Sequence, residues 1–405
     1  MYKVFKNSYL GVFLVCFLHL ILISCSKDNI NEIDDVGFTS VDLPHMKITT
    51  ENSASIESKT TYISAKIAIA GGKEYPNYSG SGKIMGRGNY SWIVPKKPYK
   101  IKFDYDTGLF NLPPEKDWVL LANFLDGSHL LSSVSLKIGK LLGLPYTNNY
   151  VPFELTVNGN YRGLYGFTEQ IEVKENRVNV GKGGVLLLLD TNYDDPWKFR
   201  SFSYNLPVMI KYPEIIESSE ILPIRTDFDK LERLVARADF PDNNYLDYLD
   251  ADAMANYFLV YFLTCNEEIN HPKSTYIYKM SKGKYTMGPI WDFDWAYSYE
   301  QSQKQLLNPY RPLFWNKSSL GTKFFFRIYS DPKIKNLVRQ KWRQFKADKY
   351  RELDDYILSY SKQIEKARKK DYDTWLRGNA QFSIEVENLR QWFVKRSDYL
   401  DNELE

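Results

Sequence analysis

Two carboxylates two residues apart, Asp292 and Asp294, sit in the segment Gly288-Pro289-Ile290-Trp291-Asp292-Phe293-Asp294-Trp295-Ala296-Tyr297, just after a hairpin-like stretch. On an extended backbone alternate side chains share a face, so the two anions would stand side by side and repel. A hard divalent cation such as Mg²⁺ relieves that repulsion. It takes one or two protein carboxylates and fills its other positions with water and phosphate oxygens, so a phosphate-bearing ligand is its natural companion. The competing reading is structural: one aspartate caps a turn or pairs with a lysine while Trp291, Phe293 and Trp295 fill core.

Further candidates lie upstream. Gly86-Arg87-Gly88-Asn89-Tyr90-Ser91-Trp92 leads into Pro95-Lys96-Lys97-Pro98-Tyr99-Lys100-Ile101-Lys102-Phe103-Asp104, and Lys116-Asp117-Trp118-Val119-Leu120-Leu121-Ala122-Asn123-Phe124 follows. Asn158-Gly159-Asn160-Tyr161-Arg162-Gly163-Leu164-Tyr165 comes next, with Glu169 shortly after. Taken in this order and closed by Trp291-Asp292-Phe293-Asp294, these segments resemble the CotH kinase family, named for a bacterial spore-coat protein, over residues 80–400. The resemblance implies a divergent protein-kinase-like, two-lobed fold with ATP and Mg²⁺ in its cleft. It also implies metal-dependent transfer of a phosphoryl group to Ser or Thr of envelope or surface proteins.

Phosphoryl transfer needs a cation on the terminal phosphates, a basic side chain against the developing charge, and a carboxylate that orients or deprotonates the acceptor hydroxyl. Asp292 and Asp294 are the metal candidates, and Asp292 counts among the catalytic ones. Lys100 and Lys102 alternate with Tyr99, Ile101 and Phe103, so both lysines share one strand face. Lys102 better matches the strand lysine of the resembled family, and Glu169 matches its acidic partner. Arg87, uncrowded between Gly86 and Gly88, either reaches an anion or braces its loop.

One loop departs from the family pattern. Where CotH-type kinases carry an Asp and, five residues on, an Asn, this chain has Glu268 and Lys273 in Asn266-Glu267-Glu268-Ile269-Asn270-His271-Pro272-Lys273. Glu268 keeps a carboxylate able to orient a hydroxyl, whereas Lys273 has no lone pair for a metal and adds a fixed positive charge. A second reading therefore stands beside the kinase: a catalytically impaired, kinase-like binding or structural lipoprotein that docks a nucleotide, a glycan or a protein partner. His271 is either a base or a hydrogen-bonding structural residue, and the scarcity of histidine argues against zinc.

At 405 residues, 43% apolar and 16% aromatic, the chain can bury a large core. Its formal charge of +3 falls to about +1 without Lys3 and Lys6, so no global field favours nucleic acid. The basic start, the apolar run from Leu10 to Ile23 and then Leu22-Ile23-Ser24-Cys25 resemble a bacterial lipoprotein signal with its lipobox. Residues 1–24 are expected to be removed, Cys25 to be lipidated, and 25–45 to be a polar tether ahead of a domain spanning 46–405. More than one acyl chain on Cys25 suffices for stable anchoring, so the domain is expected at the outer membrane, on its periplasmic or outer face. A loose resemblance of Ser26-Lys27-Asp28 to Bacteroidetes surface-export signals points to the outer face.

The elements that must position these residues are mixed α+β, sheet-rich before about residue 190 and helical after it. Tyr62–Ile69 and Tyr99–Phe103 alternate as half-buried strands, and Asn158-Gly159 marks a tight hairpin. Val185–Leu189 is an apolar run fit for a strand covered on both faces. Leu130–Leu142 has helical spacing closed by Gly143, Ala253–Thr264 is apolar all round, and three amphipathic helices end the chain.

Overall fold

The structure is a computed structural model that describes residues 43–300 and 304–404, all within one compact unit spanning Ser40–Glu405. Residues 1–42, and with them the lipobox and Cys25, lie outside the described part. Leu43 is buried and the next residues already form a strand, so the folded unit begins before the expected boundary at 46. Among the described residues no helix is long and apolar enough to cross a membrane.

Seven strands form a closed barrel. They are β1 (His45–Thr50), β2 (Ile63–Ala70), β3 (Tyr78–Gly86), β4 (Tyr99–Thr107), β5 (Glu115–Leu121), β6 (Val151–Val157) and β7 (Asn160–Glu169). Neighbours pair antiparallel around the ring in the order β1-β2-β3-β4-β5-β7-β6, and a parallel β1–β6 ladder closes it, with Met46 opposite Leu155. The alternating apolar residues of each strand fill the interior, including Ile67, Ile101, Phe103, Trp118, Phe153 and Phe167. Closure leaves no open edge to aggregate. At the β6–β7 turn Asn158 and Gly159 both take positive φ, as a two-residue hairpin requires.

A second sheet of five strands has the order β12-β11-β8-β10-β9. It comprises β8 (Val185–Leu189), β9 (Lys198–Arg200), β10 (Pro207–Tyr212), β11 (Thr275–Lys279) and β12 (Thr286–Met287). Two of these, β9 and β10, extend the sheet-rich part past residue 190, further than the sequence pattern suggests. For β10 the reason is burial on both faces, which erases alternation: Val208 and Ile210 join the helical core while Met209 packs on the other side, just as in β8 Leu187 and Leu189 join the helical core while Leu186 and Leu188 pack on the other side. Burying each of these leucines stabilises the fold by about 1.5–3 kcal/mol before entropy is counted.

The helices are α1 (Tyr90–Ile93), α2 (Leu131–Leu141), α3 (Ile221–Ala236), α4 (Ala251–Thr264), α5 (Leu320–Tyr329), α6 (Pro332–Asp348), α7 (Tyr350–Trp375) and α8 (Phe382–Glu403). Helix α4 is buried from Ala253 to its end, as its all-round apolar sequence demands, and Asp250 caps it by accepting the Ala253 N–H. It stops at Cys265, a fully buried free thiol in the left-handed conformation. The loop from Asn266 to Ser274 that follows is thereby fixed against the core and leads straight into β11. The mixed α+β class and the succession of sheet-rich and helical parts are as the sequence suggests.

Candidate phosphoryl-transfer site

A cavity of about 610 Å³ opens between barrel-side segments and the second sheet. Arg87 at the end of β3, Asn123 after β5, Asp190 after β8, Lys211 on β10, Glu268 and Lys273 after α4, and Asp292 and Asp294 after β12 all contribute to its wall. Acidic residues from three separate loops thus meet in one hollow.

Each acid is set by its local chain. Asp292 is not in an extended strand: it has φ of 63°, a region that Asp and Asn tolerate better than most residues. Its Oδ1 accepts the Asp294 N–H at 3.3 Å, its Oδ2 accepts Ser274 Oγ–H at 3.2 Å, and its carbonyl accepts Asn266 Nδ2–H at 2.9 Å. The expected same-face pairing along a strand is therefore replaced by a turn in which the Asp292 carboxylate folds over the backbone of Asp294. Glu268 lies in a single helical turn capped by Asn266, whose Oδ1 accepts the Glu268 N–H at 3.1 Å. Its carbonyl accepts the Lys273 N–H at 2.8 Å, which folds the lysine back beside it.

The charges do not balance locally. Glu268 is 3% exposed, and its Oε2 has no hydrogen-bond partner among the described residues. Burial first, and then the charges of Asp292, Asp190 and Asp294, push its carboxyl well above the ordinary range, against the pull of Lys273. Burial and Asp292 likewise push Asp294 up to about 8, with Arg87 opposing. Asp190 is raised by burial and by Asp292, although its oxygens accept the Asn192 and Ser274 N–H groups at 2.8 and 3.1 Å.

The cations in reach are held by aromatic faces. The Arg87 guanidinium lies 5.5 Å from the Trp291 ring centroid, and the Lys273 ammonium 4.7 Å from that of Trp295. His271 packs edge-on against Trp295 at 4.8 Å, and burial followed by the Lys273 charge lowers its pKa, so it is neutral near pH 7. Among the described residues no three His, Cys, Asp or Glu side chains converge as a ready-made metal cluster. A Mg²⁺ site built from two carboxylates and phosphate oxygens needs no such cluster, and the unpartnered Glu268 oxygen and mutually repelling acids fit a missing positive charge.

Of the residues singled out in the sequence, Arg87, Glu268, Lys273, Asp292 and Asp294 come together here, while Lys100, Lys102 and Glu169 do not line the cavity. Lys100 and Lys102 both reach Asp117 on β5, at 2.9 and 3.6 Å. Glu169 is buried and accepts the Asn149 N–H at 2.8 Å and Asn149 Nδ2–H at 2.6 Å. The expected Lys102–Glu169 pair is not formed, because Asp117 sits directly across from Lys102 in the β4–β5 ladder. Sequence reasoning missed Asp190. Its only signal was a carboxylate directly following a doubly buried strand.

A comparison with curated proteins finds no match. The family profile described as CotH kinase protein matches residues 84–400, a span that runs from the end of β3 through the cavity loops to α8. A match over that length, enclosing the Arg87, Glu268 and Asp292 segments in order, means that the chain belongs to the CotH kinase family.

Proposed function

We propose that the cavity is the site of an atypical, metal-dependent kinase that transfers the terminal phosphoryl group of ATP to a hydroxyl acceptor. In this reading the barrel and the second sheet act as the two lobes of a protein-kinase-like cleft. The observation that carries it is the meeting of Glu268, Asp292 and Asp294 with Arg87 and Lys273 in one cavity. The Asp292 charge pushes the pKa of both Glu268 and Asp294 up, and this cluster beside two cations suits a ligand bringing both a divalent cation and phosphates.

Asp292 and Asp294 would hold Mg²⁺, which would supply positive charge for the phosphates and offset the neighbouring carboxylate charges that, after burial, push the Glu268 carboxyl up. Arg87 and Lys273 neutralise the charge that develops on the transferred group. As the bond from the acceptor oxygen to phosphorus forms and the bridging P–O bond breaks, the hydroxyl proton passes to Glu268 and ADP leaves. Asp190 serves as a positioning residue: its Oδ2 accepts the Ser274 N–H, which steadies the loop whose Ser274 hydroxyl holds Asp292.

A second reading, binding without turnover, draws on Lys273, which occupies a position where the family pattern has a metal-coordinating Asn. The two readings part on one experiment. ATP with Mg²⁺ should raise the melting temperature under both, and labelled phosphate should reach an added hydroxyl acceptor only under the first. Absence of any ATP-dependent shift would sink the kinase and leave the second reading only as docking of a glycan or a protein partner. We further propose from the sequence that Cys25 anchors the chain to the outer membrane, so labelled palmitate should be incorporated in cells and lost in Cys25→Ser.

A further inference from the structure

A second cavity of about 420 Å³ adjoins the first and shares the Trp295 and Tyr299 side chains with it. Those two rings lie within 6° of parallel, with centroids 6.4 Å apart. Trp315, 50% exposed, supplies a third aromatic surface. The rest of the wall is charged but internally settled. Arg311 donates to Glu267 Oε1 at 2.5 Å and to Glu300 Oε1 at 3.0 Å, and Trp315 Nε1–H donates to Glu267 Oε2 at 2.9 Å.

This pairing decides the class of occupant. A cation would compete with Arg311 for Glu267 and Glu300, and an anion would have to displace both carboxylates from Arg311. Neither gains a free counter-charge from the residues that line this cavity, and His271 among them is neutral. What remains available is flat aromatic surface together with spare lone pairs on paired carboxylates, each of which accepts more hydrogen bonds than it now receives. A ligand that uses both has an apolar face and a rim of neutral hydroxyl donors. A purely aromatic side chain would use the rings and leave the acceptors idle.

We propose that this cavity binds a neutral carbohydrate ring, stacked on the Trp295, Tyr299 and Trp315 surfaces with its hydroxyls toward Glu267 and Glu300. Because the two cavities share a wall, the bound sugar is the hydroxyl acceptor of the phosphoryl group; this role rests on the function proposed above, whereas the binding itself does not. The test is a tryptophan-fluorescence titration of the folded protein, without nucleotide, using maltose, cellobiose and chitobiose. At least one disaccharide should quench saturably. Trp315→Ala should weaken that binding about tenfold, the worth of one aromatic contact, while Trp315→Phe restores most of it. The ATP-dependent thermal shift should be the same in Trp315→Ala, since Trp315 does not line the larger cavity.

No saturable quenching by any of the three sugars, or binding equally tight in Trp315→Ala, would overturn the assignment. So would saturable binding of the neutral peptide Gly-Tyr-Ser-Gly in place of all three. Sugar binding that depends on Trp315 in a protein with no response to ATP would leave the carbohydrate site standing and remove the kinase reading instead.

Discussion

Asp292→Asn should slow phosphoryl transfer severely and, in the absence of Mg²⁺, make the protein more stable. Asparagine keeps the size of the side chain and tolerates the left-handed φ of 63° at this position. Its carbonyl oxygen can still accept the Asp294 N–H, so the turn survives. Only the charge goes. That charge raises Asp294, Glu268 and Asp190 together, so its removal relieves three buried acids at once. We expect a fall in transfer rate of about 10²–10³, as for loss of a preorganised electrostatic contact, with a melting temperature that rises and no longer responds to Mg²⁺. Measured by labelled phosphate and thermal unfolding, wild-type transfer in Asp292→Asn would show that the acids of this loop are not the centre of the chemistry.

The sequence made local features legible and left long-range ones hidden. Asn158-Gly159 announced a hairpin because the turn's positive φ values are a property of those two residues alone. Helix α4 was legible because burial on every side leaves an unmistakable apolar run. Closure of the barrel was not, because the parallel ladder of β1 with β6 joins residues more than a hundred positions apart and no local pattern records it. The same limit governed the site. Asp292, Asp294, Glu268 and Lys273 come from two loops whose unusual composition stands out, and the structure brings them together. Lys100 and Lys102 share a strand face as alternation requires, but alternation cannot say what lies opposite, and Asp117 does. The aromatic slot beside the main cavity leaves no local signal, since Trp295 and Trp315 are twenty residues apart and their common wall depends on Arg311 folding between Glu267 and Glu300.

The largest loss of stability should come from Asp371 on α7. Lys96, His129 and Asp371 are all buried at 2% exposure or less. Asp371 Oδ1 accepts Lys96 Nζ–H at 2.5 Å and the Leu164 N–H at 2.8 Å, and Lys96 also donates to the Leu164 carbonyl at 2.7 Å. His129 Nε2 is 3.0 Å from Asp371 Oδ2. Burial works against the Asp371 charge, yet His129 and Lys96 outweigh it and hold the carboxyl below its ordinary range. Burial and the Lys96 charge lower the pKa of His129 itself, so near neutral pH the lysine is the partner that matters. The cluster ties β7, the segment before β4, the turn before α2 and α7 to one another, and Lys96 belongs to the wall of the main cavity.

Asp371→Asn keeps the shape and strands a buried ammonium. The expected cost is about 3–5 kcal/mol, a fall in melting temperature on the order of 10 °C. Burial already pushes Lys96 down to about 8 even with its carboxylate in place. Without Asp371 it should lose its proton below neutrality, so the penalty should shrink as pH rises toward 9. In the wild type the sign is opposite: a depressed carboxyl contributes stability that is present above about pH 4 and lost as pH falls. The double change Lys96→Met with Asp371→Leu should recover only part of the loss, because the apolar pair has no charge to desolvate but leaves the Leu164 N–H and carbonyl and His129 without their partners. If Asp371→Asn melts like the wild type at pH 7, the buried ion pair is not what joins the barrel to the helical part.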